Sequence, residues 1–170
     1  GWAMESRVYA EDPFRNFLPS IGPLITYKEP ELFHPPSEES TFYPGKYSGG
    51  GTVRIDTGVF EGSTISMWYD PMICKLIVHG KDRESVIKIM SRALDEYVVQ
   101  GLGHNLNFLR DVMRNPVFQS GNYSTKFIEE QYPDGFSGVK LDNNEINQLI
   151  GTACALYHAQ QDISSADYSL

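Results

Sequence analysis

Apolar and polar residues alternate in two blocks of the chain, over 4–10 and from 52 to 79. From 82 onward the apolar residues recur with a helical period. Met4, Ser6, Val8 and Ala10 alternate with Glu5, Arg7 and Tyr9. That predicts a half-buried strand over 4–10. Glu11-Asp12-Pro13 ends it, residues 16–20 read as loop, and a second strand is expected over 21–27 behind Gly22-Pro23. Residues 29–51 hold four prolines, four glycines and the run Pro36-Ser37-Glu38-Glu39-Ser40. This composition predicts a long exposed loop. Strands are expected again at 52–58, 66–69 and 73–79.

The period then changes. Asp82 is placed to cap a helix with Val86, Ile89, Met90, Ala93, Leu94 and Tyr97 on one face. Gly101 and Gly103 break it. Asn105 is placed to cap a second helix, with Leu106, Leu109, Val112 and Met113 inward, ending before Pro116. A short third helix is expected over 124–130, then a turn at Tyr132-Pro133-Asp134-Gly135-Phe136. Asp142-Asn143-Asn144-Glu145 has the form of a capping box. The helix it opens is expected to bury Ile146, Leu149, Ile150, Ala153, Leu156 and Tyr157, and the tail over 162–170 reads as polar and frayed. Strands followed by helices predict an α+β domain with an antiparallel sheet. There is no internal repeat.

Composition narrows the class of partner. A hydrophobic content of 41% with 12% aromatics fits a globular chain. A net charge of −8 without any lysine or arginine cluster argues against nucleic acid and against an anionic membrane. No apolar run approaches the roughly 18–20 residues of a membrane-spanning helix. The two cysteines, Cys74 and Cys154, lie outside any ligand spacing, so no zinc site is expected. Both are read as small core residues in a reducing compartment. Residue 1 is glycine, so the chain is read as a piece of a longer polypeptide whose targeting information lies outside it.

The residues by themselves show no complete active site. Gly49-Gly50-Gly51 lacks the Lys-Ser/Thr of a phosphate-cradling loop. His34, His79, His104 and His158 have no metal spacing between them and read as structural or solvent-facing. Glu5, Arg7, Glu11 and Asp12 suit ion pairs within and across strands. Lys75 is expected to snorkel or to pair with an acid such as Asp70. The conspicuous residue is Arg54, a cation between Val53 and Ile55. A half-buried cation is costly unless an anion meets it, and Asp56 is the nearest candidate.

Taken in order, GWAMESRVYAEDP, FLPSIG, TVRIDTGVFEG, YDPMICKLIVHGKDR, STKFIEEQYPDGF and EINQL carry a resemblance. Over residues 1–133 the chain resembles the C-terminal subdomain of a biotin carboxylase, the segment after the ATP-grasp core in biotin-dependent carboxylases. From Ser124 to Leu149 it is most similar to the α subunit of the propionyl-CoA type. The resemblance implies two parts. Residues 1–133 would be the subdomain, with a long inserted loop at 31–51. Residues 134–170 would be a linker and the first helix of a carboxyltransferase-interaction domain.

The same resemblance implies an enzyme that uses ATP, magnesium and bicarbonate to make carboxyphosphate. This breaks down to carbon dioxide, which N1′ of biotin captures. Biotin then carries the carboxyl group to a carboxyltransferase β subunit that places it on an acyl-CoA. Arg54 matches the arginine of the family's V-R-x-[DE] strand, which contacts the ureido oxygen of biotin and stabilises the enolate. It is the one catalytic and biotin-binding residue implied here, and no metal ligand is implied. Asp56, Tyr69, Asp70 and Lys75 match other fixed letters and are expected to orient Arg54 and its strands. Glu5, Arg7, Glu11 and Asp12 are expected to hold the fold against the ATP-grasp core.

Three departures stand out. Trp2 stands where the family has His and Ser6 where it has Cys, both implying altered packing. The third is the length of the 31–51 loop, which enters just before the Arg54 strand. The family's ATP lid, nucleotide lysines and bicarbonate residues would lie upstream of Gly1, and the biotinyl-lysine motif of the carrier domain downstream of Leu170. The chain alone is therefore expected to lack carboxylase turnover; bicarbonate-dependent ATP cleavage by the isolated 170 residues would overturn this. The alternatives are a methylcrotonyl-CoA or pyruvate type carboxylase, or a non-catalytic interaction module that kept the fold. The compartment implied is the mitochondrial matrix in a eukaryote and the cytoplasm in a bacterium.

Overall fold

A computed structural model of the chain describes residues 1–30, 51–139 and 141–166. The predicted 31–51 loop, with His34, falls almost entirely outside these residues. The chain forms two compact units, Gly1–Gly138 and Val139–Leu170.

In the first unit the strands are β1 (Trp2–Tyr9), β2 (Glu11–Asp12), β3 (Leu18–Pro19), β4 (Gly22–Pro23), β5 (Thr26–Lys28), β6 (Thr52–Thr57), β7 (Thr64–Ile65), β8 (Met72–Gly80) and β9 (Val98–Gln100). Its helices are α1 (Arg83–Glu96), α2 (Leu106–Arg114), α3 (Pro116–Ser120) and α4 (Phe127–Gln131). The main sheet has the order β1-β8-β6 and is antiparallel throughout. β2 pairs with β3, β4 with β7 and β5 with β9, all antiparallel. Strands and helices around one antiparallel sheet give the expected α+β class.

The alternation of β1 sends Ser6 and Val8 inward, with Ala10 buried just past its end, and β8 sends Cys74, Leu76 and Val78 to the same side. These side chains meet Val86, Ile89, Met90 and Ala93 of α1 in one core. β8 is central, flanked by β1 and β6; on its other face Ile73 is buried, Lys75 and Ile77 are half-buried and His79 is exposed. Trp2 is exposed and leaves the core untouched, whereas Ser6 is buried opposite Leu76.

α1 begins as expected. The Asp82 carboxylate accepts from Ser85 N at 2.8 Å and Ser85 Oγ at 2.6 Å. These bonds hold its pKa below the usual carboxylate range. Its first residue, Arg83, reaches α3. It donates to Gln119 O at 2.7 Å and Phe118 O at 2.6 Å, with the guanidinium carbon 5.1 Å from the Phe118 ring centre.

Several expectations need correction. The strand predicted over 21–27 is two short ones, because the chain changes partner between them. Leu24 N donates to Ser63 O, and Ile25 N donates to Gln100 O. No strand spans 66–69. Instead Ser66 Oγ accepts from Trp68 N at 3.1 Å and Asp70 Oδ1 from Met72 N at 2.8 Å, so side chains turn the backbone away from a ladder. Helix α1 stops at Glu96, and the β-branched pair Val98-Val99 enters β9. Asn105 does not cap α2 with its side chain. Its Oδ1 accepts from Tyr9 N and its Nδ2 donates to Arg7 O, which ties the helix start to β1. Pro116 opens α3 instead of only ending α2. The short helix predicted over 124–130 runs over Phe127–Gln131.

Phe136 is buried against Phe14 and Phe108, at ring-centre distances of 5.3 and 5.5 Å, which keeps the Pro-Asp-Gly turn within the first unit. The second unit contains α5 (Asn143–Ala166). Its capping box forms in both directions: Glu145 N donates to Asp142 Oδ1 at 2.8 Å, and Asp142 N to Glu145 Oε2 at 2.9 Å. Its expected buried stripe is instead exposed: Ile146, Leu149, Ile150, Ala153, Leu156 and Tyr157 all face solvent. A helical period marks an apolar face without saying what covers it. No helix among the described residues is long and apolar enough to cross a membrane.

The cysteines part company in the same way. Cys74 is buried on β8 as expected, while Cys154 is exposed on α5. Burial pushes the Cys74 thiol up to about 11. Thiol alkylation of the chain near pH 8 is therefore expected to label Cys154 and spare Cys74 until denaturant is added; equal labelling of both in the native chain would contradict the fold. Because the folded-state value is raised, the stabilisation linked to this thiol is complete below the unfolded value. It is lost as pH rises through about 11.

Candidate functional site

β6 places Arg54 by its alternation. Val53 is fully buried and Ile55 packs on the core, so Thr52, Arg54 and Asp56 face the other side. This corrects the half-buried position expected for the cation: the Arg54 side chain is 66% exposed. It bears little desolvation cost and needs no buried anion. What it has is a two-point clasp. Nε lies 3.1 Å from Asp56 Oδ1, and Nη2 donates to Asp56 Oδ2 at 3.1 Å. An exposed pair of this kind adds little stability but fixes the plane of the guanidinium. Five N–H donors are available to a guanidinium, so the clasp leaves donors over for a ligand.

The register builds a small charged face around it. Arg54 stands across from Ile77, which stands across from Glu5; Asp56 stands across from Lys75, which stands across from Arg7. Glu5 and Arg7 pair with each other at 2.9 Å. Asp56 thus lies between Arg54 on its own strand and Lys75 on the next. Among the described residues, Asp56 is the side chain that holds Arg54.

The other expected orienting residues are used differently. The Asp70 carboxylate holds the turn into β8 through Met72 N. Tyr69 is 82% exposed, beside exposed Met67 and Trp68. Lys75 is half-buried across from Asp56, not grouped with Asp70. Glu11 has its pKa raised, by burial first and by the Asp70 charge second. Asp12 turns the chain by accepting from Phe14 N at 3.0 Å.

One group of functional interest has no sequence signal. Tyr27, Glu29, Thr57, Cys74 and Tyr97 join in a hydrogen-bonded line at the far end of β6. Their wide separation along the chain hides them from any local motif. Among the described residues, no group of three or more histidine, cysteine or carboxylate side chains is arranged to hold a metal ion.

An exposed, two-point-held guanidinium on a rigid strand suits an oxygen that gains negative charge. Residues 5–130 match the family model described as the biotin carboxylase C-terminal domain. The propionyl-CoA carboxylase alpha chain of Ruegeria pomeroyi is 46% identical over 169 residues, covering 95% of this chain and 24% of that protein. The mitochondrial propionyl-CoA carboxylase alpha chain of Homo sapiens is 48% identical over 162 residues, covering 95% and 20%. The chain therefore spans only about a fifth to a quarter of the length of these two relatives. Among solved structures, the biotin carboxylase domain dimer of Hydrogenobacter thermophilus 2-oxoglutarate carboxylase, in complex with MgADP, ADP and bicarbonate, has a TM-score of 0.65. It is 30% identical, covering 77% of this chain and 25% of that one.

Proposed function

Because the chain belongs to the biotin carboxylase C-terminal domain family, we propose that it works within the biotin carboxylase component of an acyl-CoA carboxylase of the propionyl-CoA type. The whole protein carries out ATP- and bicarbonate-dependent carboxylation of biotin. Two relatives named for propionyl-CoA carboxylase support this type, since their alignments cover 95% of the chain, past the end of the family model at residue 130.

The observation that carries the reading is the held, exposed guanidinium of Arg54. When bound, biotin supplies the ureido nitrogen that takes up the carboxyl group. Arg54 would donate to the ureido oxygen of biotin and stabilise negative charge developing on it. Asp56 keeps the guanidinium in one plane, so little reorientation is needed as that charge develops. A guanidinium suits the task because it stays charged and its donors have fixed directions. The exposure of the side chain and its donors beyond those given to Asp56 support this role.

ATP and magnesium are assigned to the ATP-grasp core, in keeping with the nucleotide, magnesium and bicarbonate named for the Hydrogenobacter domain. The biotin carrier domain and the carboxyltransferase β subunit are the remaining partners. The exposed apolar stripe of α5 supports its assignment as the first helix of a carboxyltransferase-interaction domain. The compartment follows the source, the mitochondrial matrix in a eukaryote and the cytoplasm in a bacterium. The deciding measurement is biotin carboxylation by the full-length subunit with Arg54 replaced. Lost turnover with a retained fold supports the enzyme, and an unchanged rate favours a non-catalytic interaction module.

A further inference from the structure

Tyr27 of β5 and Tyr97 at the end of α1 meet hydroxyl to hydroxyl at 2.6 Å. Tyr97 Oη also lies 3.1 Å from Cys74 Sγ on β8. Tyr27 Oη lies 2.9 Å from Glu29 Oε1 and 3.1 Å from Thr57 Oγ1 at the end of β6. Cys74 and Thr57 are cross-strand partners, so the line grips both strands of the β6–β8 pair at one rung. Tyr97 and Cys74 are 6% and 2% exposed, which keeps water from replacing these bonds at the inner end.

Counting protons orders the line. The thiol and the two phenols carry one proton each, and the Glu29 carboxylate carries none. If Tyr97 donates to sulfur while Tyr27 donates to Glu29, two oxygens 2.6 Å apart face each other with no proton between them. The arrangement that puts a proton in every gap runs from the Cys74 thiol to Tyr97, from Tyr97 to Tyr27, and from Tyr27 to Glu29. Donors aligned this way toward a carboxylate reinforce one another. Thr57 joins from the side and also contacts Val59 O and Ile73 O, at 3.3 and 3.4 Å.

We propose that this one-way line, Cys74–Tyr97–Tyr27–Glu29 with Thr57, is a positioning device for Arg54. It pins the end of β6 to β5 and α1 three residues beyond the guanidinium, about 10 Å along an extended strand. β8 fixes the register of β6, and the line fixes its lateral position. Tyr27 and Tyr97 touch no substrate; they act through the strand. The proposal rests on the role given to Arg54 above.

The test uses the full-length subunit and free biotin. Tyr27→Phe is expected to lower kcat for biotin carboxylation about ten-fold, as slight misplacement of a catalytic group does. Bicarbonate-dependent ATP cleavage without biotin is expected to stay within about two-fold. Cys74→Ser keeps the inner donor and Glu29→Gln keeps the outer acceptor, so both are expected to stay within about two-fold in carboxylation. Should Tyr27→Phe fail to fold, Glu29→Ala breaks the same line from its outer end. A parallel fall of both activities, no fall in carboxylation, or equal losses in the conservative variants would each overturn the proposal. Arg54→Ala in the same assay separates the two readings. If it leaves carboxylation intact, the role of Arg54 fails; if it abolishes carboxylation while Tyr27→Phe does not lower it, only the positioning role fails.

Discussion

Arg54→Ala in the full-length subunit is expected to lower biotin carboxylation by about 10²–10³-fold, the usual cost of removing a donor aimed at developing charge. Its stability should change by less than about 0.5 kcal/mol, because exposed side chains away from the core contribute little. The side chain is 66% exposed and its partner Asp56 is 49% exposed, so the pair they form is screened by water. The two effects therefore separate cleanly. Arg54→Lys sharpens the point, since it keeps the charge and loses the two-point clasp; an intermediate rate is expected. The check is a carboxylation rate measured beside a thermal melt. An unchanged rate would remove the reason to place Arg54 at a reacting centre.

Leu76→Ala is expected to produce the opposite pattern. Leu76 is fully buried on the central strand, between Ser6 of β1 and Ile55 of β6. Removing its outer carbons leaves a cavity where β8 meets α1, and such losses run about 3–5 kcal/mol. Against a typical total of roughly 5–15 kcal/mol, this is a large share. Urea unfolding of the chain followed by circular dichroism would measure it. A loss under about 1 kcal/mol would mean that the site collapses without a cavity, contrary to the packing described.

The elements that could be read from sequence are those whose pattern is set by burial. β1, β6, β8 and α1 each have one face on the core, and their alternation or helical period carries that fact. The ordered motifs around Arg54 carried the family as well. Three things stayed hidden for physical reasons. Arg54 looked half-buried because its neighbours Val53 and Ile55 are apolar, although period-two alternation turns every second side chain outward. Residues 66–69 looked like a strand because Trp68 and Tyr69 favour sheets, yet Ser66 and Asp70 capture the nearby amides first. Asn105 has the right chemistry for a cap, but the backbone of β1 offers it a donor and an acceptor at once. The hydroxyl line was beyond reach altogether, since its members come from four separate elements and a loop.

Arg83 links the ends of two helices through one side chain. It is the first residue of α1, and its guanidinium holds the last carbonyls of α3 while stacking on Phe118. A helix of five residues has almost no cooperative stability of its own. α3 is therefore held from outside at both ends: Asn115 Oδ1 accepts from Val117 N and Phe118 N, and Arg83 takes the carbonyls of Gln119 and Phe118. A shift of the α1 start would withdraw two donors and a ring contact from the α3 end in one movement.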